Sequence, residues 1–166
     1  MKRDKELLLR WSEMNIFSPI FRTHEGNRPQ DNAQFNDEGV IDEFAENSRI
    51  FYELKNYRKD VEKEYQENGT PMIRPLFMHY DDEEIRTNKR EYLFGKDILV
   101  SPVLRPNENE HNVFLPEGNW VQFFTGKEYK AGKHKVPSPL GTPIAFYNKD
   151  SKYASLFIDI TKNHKK

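Results

Sequence analysis

The sequence predicts an α/β segment followed by a small all-β domain, and three observations carry that reading. Up to about residue 94, apolar runs that do not alternate with polar residues are separated by stretches of helical period, the pattern of strands covered on both faces. Beyond Gly95 the chain changes to short β-type runs punctuated by turn residues. Charge divides at the same place: residues 1–94 hold 15 basic and 20 acidic side chains, and residues 95–166 hold 11 and 7, giving −5 and +4. The expected units are therefore 1–94 and 95–166, and the split is too mild to name a partner.

Leu7, Leu8, Trp11 and Met14 fall on one face of a helix expected from about Asp4 to Met14. Ile16 to Thr23 reads as a buried strand, weakened by Pro19, which cannot donate to a ladder. Residues 25–39 form a long polar loop of the kind that tends to carry function. From Val40 to Glu67, apolar residues recur every three or four positions, which predicts one long helix stopped by Asn68, Gly69 and Pro71. Met72 to Tyr80 reads as a second strand, and Asp81 to Glu84 open a short helix ending near Phe94. The remaining expected strands are 98–104, 112–115, 120–124, 133–136, 143–147 and 153–160, with turns at Pro116-Glu117-Gly118, Thr125-Gly126 and Ala131-Gly132.

Composition excludes several classes. Without cysteine there is no disulfide, thiolate metal site or cysteine nucleophile. A net charge of −1 argues against nucleic-acid binding through bulk charge, and the apolar runs are far shorter than the roughly 20 residues of a membrane helix. The charged N-terminus leads into only three leucines, which is no signal-peptide core, so a cytoplasmic location is expected. No two histidines have metal-ligand spacing and no glycine-rich phosphate loop precedes a helix, so neither metal nor cofactor is expected. Two strands with two or three helices cannot cover both faces of a parallel sheet, so the α/β part is expected to need partners from elsewhere.

The most suggestive residues follow the first expected strand: Arg22, Thr23, His24, Glu25, Gly26 and Asn27. A histidine at a strand end can hydrogen-bond sugar hydroxyls or shuttle a proton. The alternative is an Arg22–Glu25 ion pair with His24 anchoring the loop, and spacing leaves both open. His79 and Tyr80 end the second expected strand, where a structural role is the competing reading. His111, His134 and His164 sit among polar residues and are expected to be solvated. Trp120, Phe123 and Phe124 could stack on a sugar or fill a core, and the core is the commoner use.

Leu9-Arg10-Trp11, the run from Phe21 to Asn27, Arg74-Pro75-Leu76-Phe77, the run from Gly95 to Val103 and that from Leu115 to Trp120, in this order, resemble glycoside hydrolase family 31. The Arg-Thr-His-Glu-Gly-Asn form is most similar to the family's bacterial sulfoquinovosidase branch. The resemblance covers about the last quarter of a family member. It implies the final two strands of a catalytic (β/α)8 barrel followed by a β-sandwich domain, and a glycoside substrate. It also implies a retaining mechanism in which two aspartates, about 5 to 5.5 Å apart, act as nucleophile and general acid. Both belong to segments upstream of Met1, so no catalytic residue is expected here and the isolated chain should be inactive. His24 matches the family histidine that hydrogen-bonds the sugar in the subsite before the scissile bond, and Arg22 matches a neighbouring arginine. The partner implied is the rest of the barrel. An α-glucosidase or α-xylosidase of the same family, or a non-catalytic carbohydrate-binding or scaffold protein, are the alternative readings.

Overall fold

The structure, a computed structural model, describes residues 3–23, 29–87 and 90–165. Helix α1 (Lys5–Asn15) starts where the Asp4 carboxylate accepts the Leu7 N–H at 2.8 Å, a side-chain N-cap. Its buried residues are Leu8, Leu9, Arg10, Ser12 and Glu13, a face rotated about the helix axis from the expected one, and Leu7 is exposed. Arg10 and Glu13 bond residues 138 and 141, and Ser12 Oγ donates to the Leu9 carbonyl and accepts from Asn47 Nδ2, compensations that hydropathy does not register.

The expected strand over 16–23 is absent. Ile16 and Phe17 are fully buried, but the chain leaves the helix in a turn and continues without regular structure. Ser18 Oγ bonds the Asn15 carbonyl at 2.7 Å and the Ile20 carbonyl at 2.8 Å, and Pro19 lacks a donor, so local side-chain bonding replaces a ladder.

The single long helix expected over 40–67 is two, α2 (Ile41–Glu53) and α3 (Lys55–Asn68), kinked at the buried Leu54. Arg58 Nη2 donates to the Phe51 carbonyl at 3.0 Å, satisfying a group near the break, and its guanidinium lies over the Phe51 ring. Gly69 closes α3 in the left-handed conformation, as its position predicts.

Strand β1 (Ile73–Pro75) is only three residues long; Pro75 ends its ladder, and a 3-10 turn occupies Leu76–Met78. The helix expected to reach Phe94 is the short α4 (Glu83–Thr87), because Tyr92–Phe94 form β2, which pairs with β3 (Ile98–Val100) across a three-residue turn. Two expected strands merge in β4 (Glu110–Gln122), where the Pro116-Glu117-Gly118 signal produces a bulge between Leu115 and Asn119 instead of a reversal. β5 (Glu128–Pro137) and β6 (Ala145–Asn148) complete the strands. The last expected strand is helix α5 (Ala154–Asn163), which buries Phe157 and Ile160 on one face.

All six strands share one sheet, in the order β1-β2-β3-β6-β4-β5, and every pairing is antiparallel. This corrects the parallel sheet and the two barrel strands expected before residue 94: no barrel strand occurs among the described residues, and β1 and β2 hydrogen-bond into the same sheet as the strands beyond residue 95. Lack of alternation is nonetheless explained, since the central strands are covered on both faces. Phe94, Ile98, Val100, Ala145 and Tyr147 pack with Leu54, Tyr57, Phe157 and Ile160 of the helical layer. Leu93, Leu99 and Phe146 point the other way, into a sandwich-like layer with Trp120, Val113, Leu115 and Val136. Trp120, Phe123 and Phe124 are core residues, as the commoner reading predicts. No described helix is long and apolar enough to cross a membrane.

Candidate functional site

Phe21 fixes the approach to the segment singled out in the sequence. Its ring stacks on Trp11 of α1 at 6.3 Å and meets Phe44 and Phe51 of α2 at 5.1 and 5.5 Å between centroids. Arg58 Nε donates to the Ser18 carbonyl at 3.2 Å, tying the same stretch to α3; burial pushes the Arg58 pKa down to about 10, still leaving the side chain cationic at neutral pH. Arg22, one residue past this aromatic clamp, is exposed. His24, Glu25 and the suggested Arg22–Glu25 pair lie outside the described residues. The clamp thus delivers the backbone to the start of the motif from α1 and α2 together.

Two histidines expected to be solvated are buried, and each is at the centre of a polar cluster. His111 Nε2 lies 2.8 Å from Ser101 Oγ, and its Nδ1 lies 2.6 Å from Glu108 Oε1. Glu91 Oε1 accepts from Ser101 Oγ and from the Phe114 N–H, both at 3.2 Å. These are the contacts of a serine–histidine–carboxylate relay, yet Ser101 is fully buried and the adjoining cavity is only about 10 Å³. No substrate reaches Oγ, so the cluster joins β2, β3 and β4 and performs no chemistry. It continues through Glu108, whose carbonyl accepts the Ser138 hydroxyl at 2.7 Å, towards the Arg10–Glu13 pair of α1. Arg10 Nη2 donates to the Ser138 carbonyl at 2.6 Å and Glu13 Oε1 accepts the Gly141 N–H at 2.6 Å. These partners lie 128 residues from α1 in sequence, which is why local spacing could not reveal them. His164 follows α5 and sits between Glu46 (2.5 Å) and Glu53 (3.1 Å) of α2. His134, also expected to be solvated, is half-buried, with Nε2 2.7 Å from the Lys130 carbonyl and its ring edge-on to Tyr129 at 5.1 Å.

Arg74 is fully buried and bonds Glu64 at 2.6 Å, the Pro71 carbonyl at 2.7 Å and His79 Nε2 at 3.2 Å. With Arg74 donating, His79 Nε2 is an acceptor and Nδ1 carries the proton. His79 is exposed overall, yet partial desolvation of the ring, and next the Arg74 guanidinium, push its pKa down. His79 and Tyr80 line a polar cavity with Lys96 and Asp97. Among the described residues, no group of three or more His, Asp or Glu side chains could hold a metal.

The sequence profile of the glycosyl hydrolase family 31 C-terminal domain matches residues 69–152, from the end of α3 to the start of α5. This chain belongs to glycoside hydrolase family 31. It is 46% identical over 162 residues to a sulfoquinovosidase of Escherichia coli K12, covering 96% of this chain and 24% of that protein. A sulfoquinovosidase of Agrobacterium fabrum is 42% identical over 93% of this chain and 24% of its own length. A solved family 31 sulfoquinovosidase from E. rectale, in complex with an aza-sugar inhibitor, superposes with a TM-score of 0.94 at 41% identity, over 98% of this chain and 25% of that one. The chain therefore spans about a quarter of the length of the family 31 proteins it matches.

Proposed function

We propose that this chain is the C-terminal part of a retaining α-glycosidase that hydrolyses α-sulfoquinovosides. The observation that carries the proposal is likeness to sulfoquinovosidases over nearly the whole chain, in sequence and in fold. In this reading the β-unit beginning near residue 69 supports a catalytic barrel that lies in the three quarters of the relatives not spanned here, and α1 to α3 join the two. Nucleophile and general acid belong to that barrel. This chain contributes His24, which hydrogen-bonds hydroxyls of the sugar in the subsite before the scissile bond, with Arg22 beside it orienting neighbouring carboxylates. A hydrogen bond that strengthens as the ring flattens towards the oxocarbenium ion lowers the barrier without tightening ground-state binding. The Phe21 clamp supports this by holding the entry to the motif against two helices.

The assay is release of 4-nitrophenol from aryl α-glycosides. A protein comprising this chain and a preceding family 31 barrel is expected to prefer the α-sulfoquinovoside over the α-glucoside and α-xyloside, and the 166-residue chain alone to show no turnover. Preference for a neutral glycoside would overturn the substrate assignment, and turnover by the chain alone would overturn the division of labour.

A further inference from the structure

A polar cavity of about 390 Å³ lies between the β2–β3 turn and the loop from β6 into α5, lined by His79, Tyr80, Lys96, Asp97, Asn148 and Lys152 among others. Asp97 stands out within it. The residue is only 6% exposed, and among the described residues its carboxylate makes no hydrogen bond or ion pair. Most of the residue is buried while its carboxylate opens into the cavity, where a ligand or water supplies its donors.

Its backbone is held on both sides. The Asp97 N–H donates to Tyr57 Oη at 3.2 Å, and the Asp97 carbonyl accepts the Asn148 N–H at 2.8 Å. Gly95 starts the turn at φ +62°, and a Cβ there would come within 2.2 Å of Tyr57 Oη. Across the cavity, Asp150 is fixed by Asn119 Nδ2 and by donation of its own N–H to Asn148 Oδ1, both at 2.9 Å. The walls are thus preorganised, which lowers the cost of binding.

Charge selects the ligand class. Lys96 and Lys152 oppose a divalent cation, while Asp97 and Asp150 oppose an anion. A neutral molecule with adjacent hydroxyls satisfies both sets, donating to Asp97 and accepting from the ammonium groups and from His79, with the Tyr80 ring as an apolar wall. We propose that this cavity binds a neutral sugar or similar polyol, through a vicinal hydroxyl pair on the Asp97 carboxylate.

The test is titration of the 15N-labelled 166-residue chain with methyl α-D-glucopyranoside, and separately with calcium chloride, followed by amide shifts. The sugar is expected to give saturable shifts at Lys96, Asp97 and residues 148–152 in the millimolar range, weakened at least about tenfold in Asp97→Asn. Lys152→Ala, at an exposed position, is expected to weaken binding a few-fold, and it carries the test alone if Asp97→Asn loses its dispersed spectrum. No saturable shift with the sugar, undiminished binding in the folded variants, or saturation by calcium but not by the sugar would each overturn the proposal.

Discussion

Tyr57 illustrates how one side chain governs a turn that no local sequence rule controls. From α3 it donates to the Phe94 carbonyl at 2.7 Å and accepts the Asp97 N–H at 3.2 Å, while its ring meets Phe94, Tyr153 and Phe157 edge-on. Burial, and next the Asp97 charge, push its pKa well up, so the phenol stays protonated and able to donate. Tyr57→Phe keeps the ring and removes both bonds, and should cost about 1–3 kcal/mol in urea unfolding because the freed Phe94 carbonyl stays buried. His111→Ala should cost about 1–3 kcal/mol, since the buried Ser101 hydroxyl and the Glu108 carboxylate both lose the group that links them. An unchanged midpoint in the latter would mean that the cluster holds nothing together. Neither residue was legible in advance. Gly95 reads as the end of an element, but the aromatic it accommodates lies 38 positions earlier in the chain. His111 is expected to be solvated because its neighbours are polar, whereas alternation along β4 leaves Glu110 and Asn112 exposed and turns His111 inward to Ser101 and Glu108.

Elements were legible where their pattern is local and long, and illegible where tertiary contacts decide. The start of α1 near Asp4 and the Gly69 stop both occur where the sequence places them, and residue type suits each end, an aspartate N-cap and a left-handed glycine. The kink at Leu54 leaves the apolar spacing almost unbroken, so periodicity alone reads α2 and α3 as one helix. In α5, Phe157, Ile160 and Thr161 share a face, yet the short run of Phe157, Ile158 and Ile160 equally suits a strand. The end of α5 is held to α2 by His164 between Glu46 and Glu53, and the bond from His164 keeps the Glu46 carboxyl below its ordinary value of 4.5. Because the folded value is the lower one, this contribution is present above the ordinary carboxylate range and is lost as pH falls through the folded pKa. The urea midpoints of the wild type and Glu46→Gln should therefore differ near pH 6 and converge on acidification. A difference that grows as the pH falls would contradict the arrangement.

The whole molecule displays large apolar side chains to solvent. Ile20 is 70% exposed, Leu104 67% and Phe77 63%, and a cavity of about 430 Å³ runs between α1 and the Pro102–Pro106 segment, lined by Leu7, Trp11 and Leu104. Such surface favours association. Sedimentation of the 166-residue chain should show concentration-dependent self-association, reduced by the double change Phe77→Ser and Leu104→Ser; a strict monomer would count against these faces being made for cover. At this scale the order of motifs identified the family more surely than the hydropathy pattern identified the sheet. Motif order survives misplaced strands, whereas pairing direction depends on contacts such as Leu93 with Leu99 and Leu99 with Phe146. Whether the proposed glycosidase reaches its substrate through His24 is read from kcat/KM for an aryl α-sulfoquinovoside in a protein comprising this chain and a preceding family 31 barrel, and in its His24→Ala variant. A sugar contact from His24 makes the variant's value fall about 5- to 150-fold, the equivalent of about 1–3 kcal/mol, carried mainly by kcat, with the thermal midpoint unchanged. Full activity in the variant would contradict it.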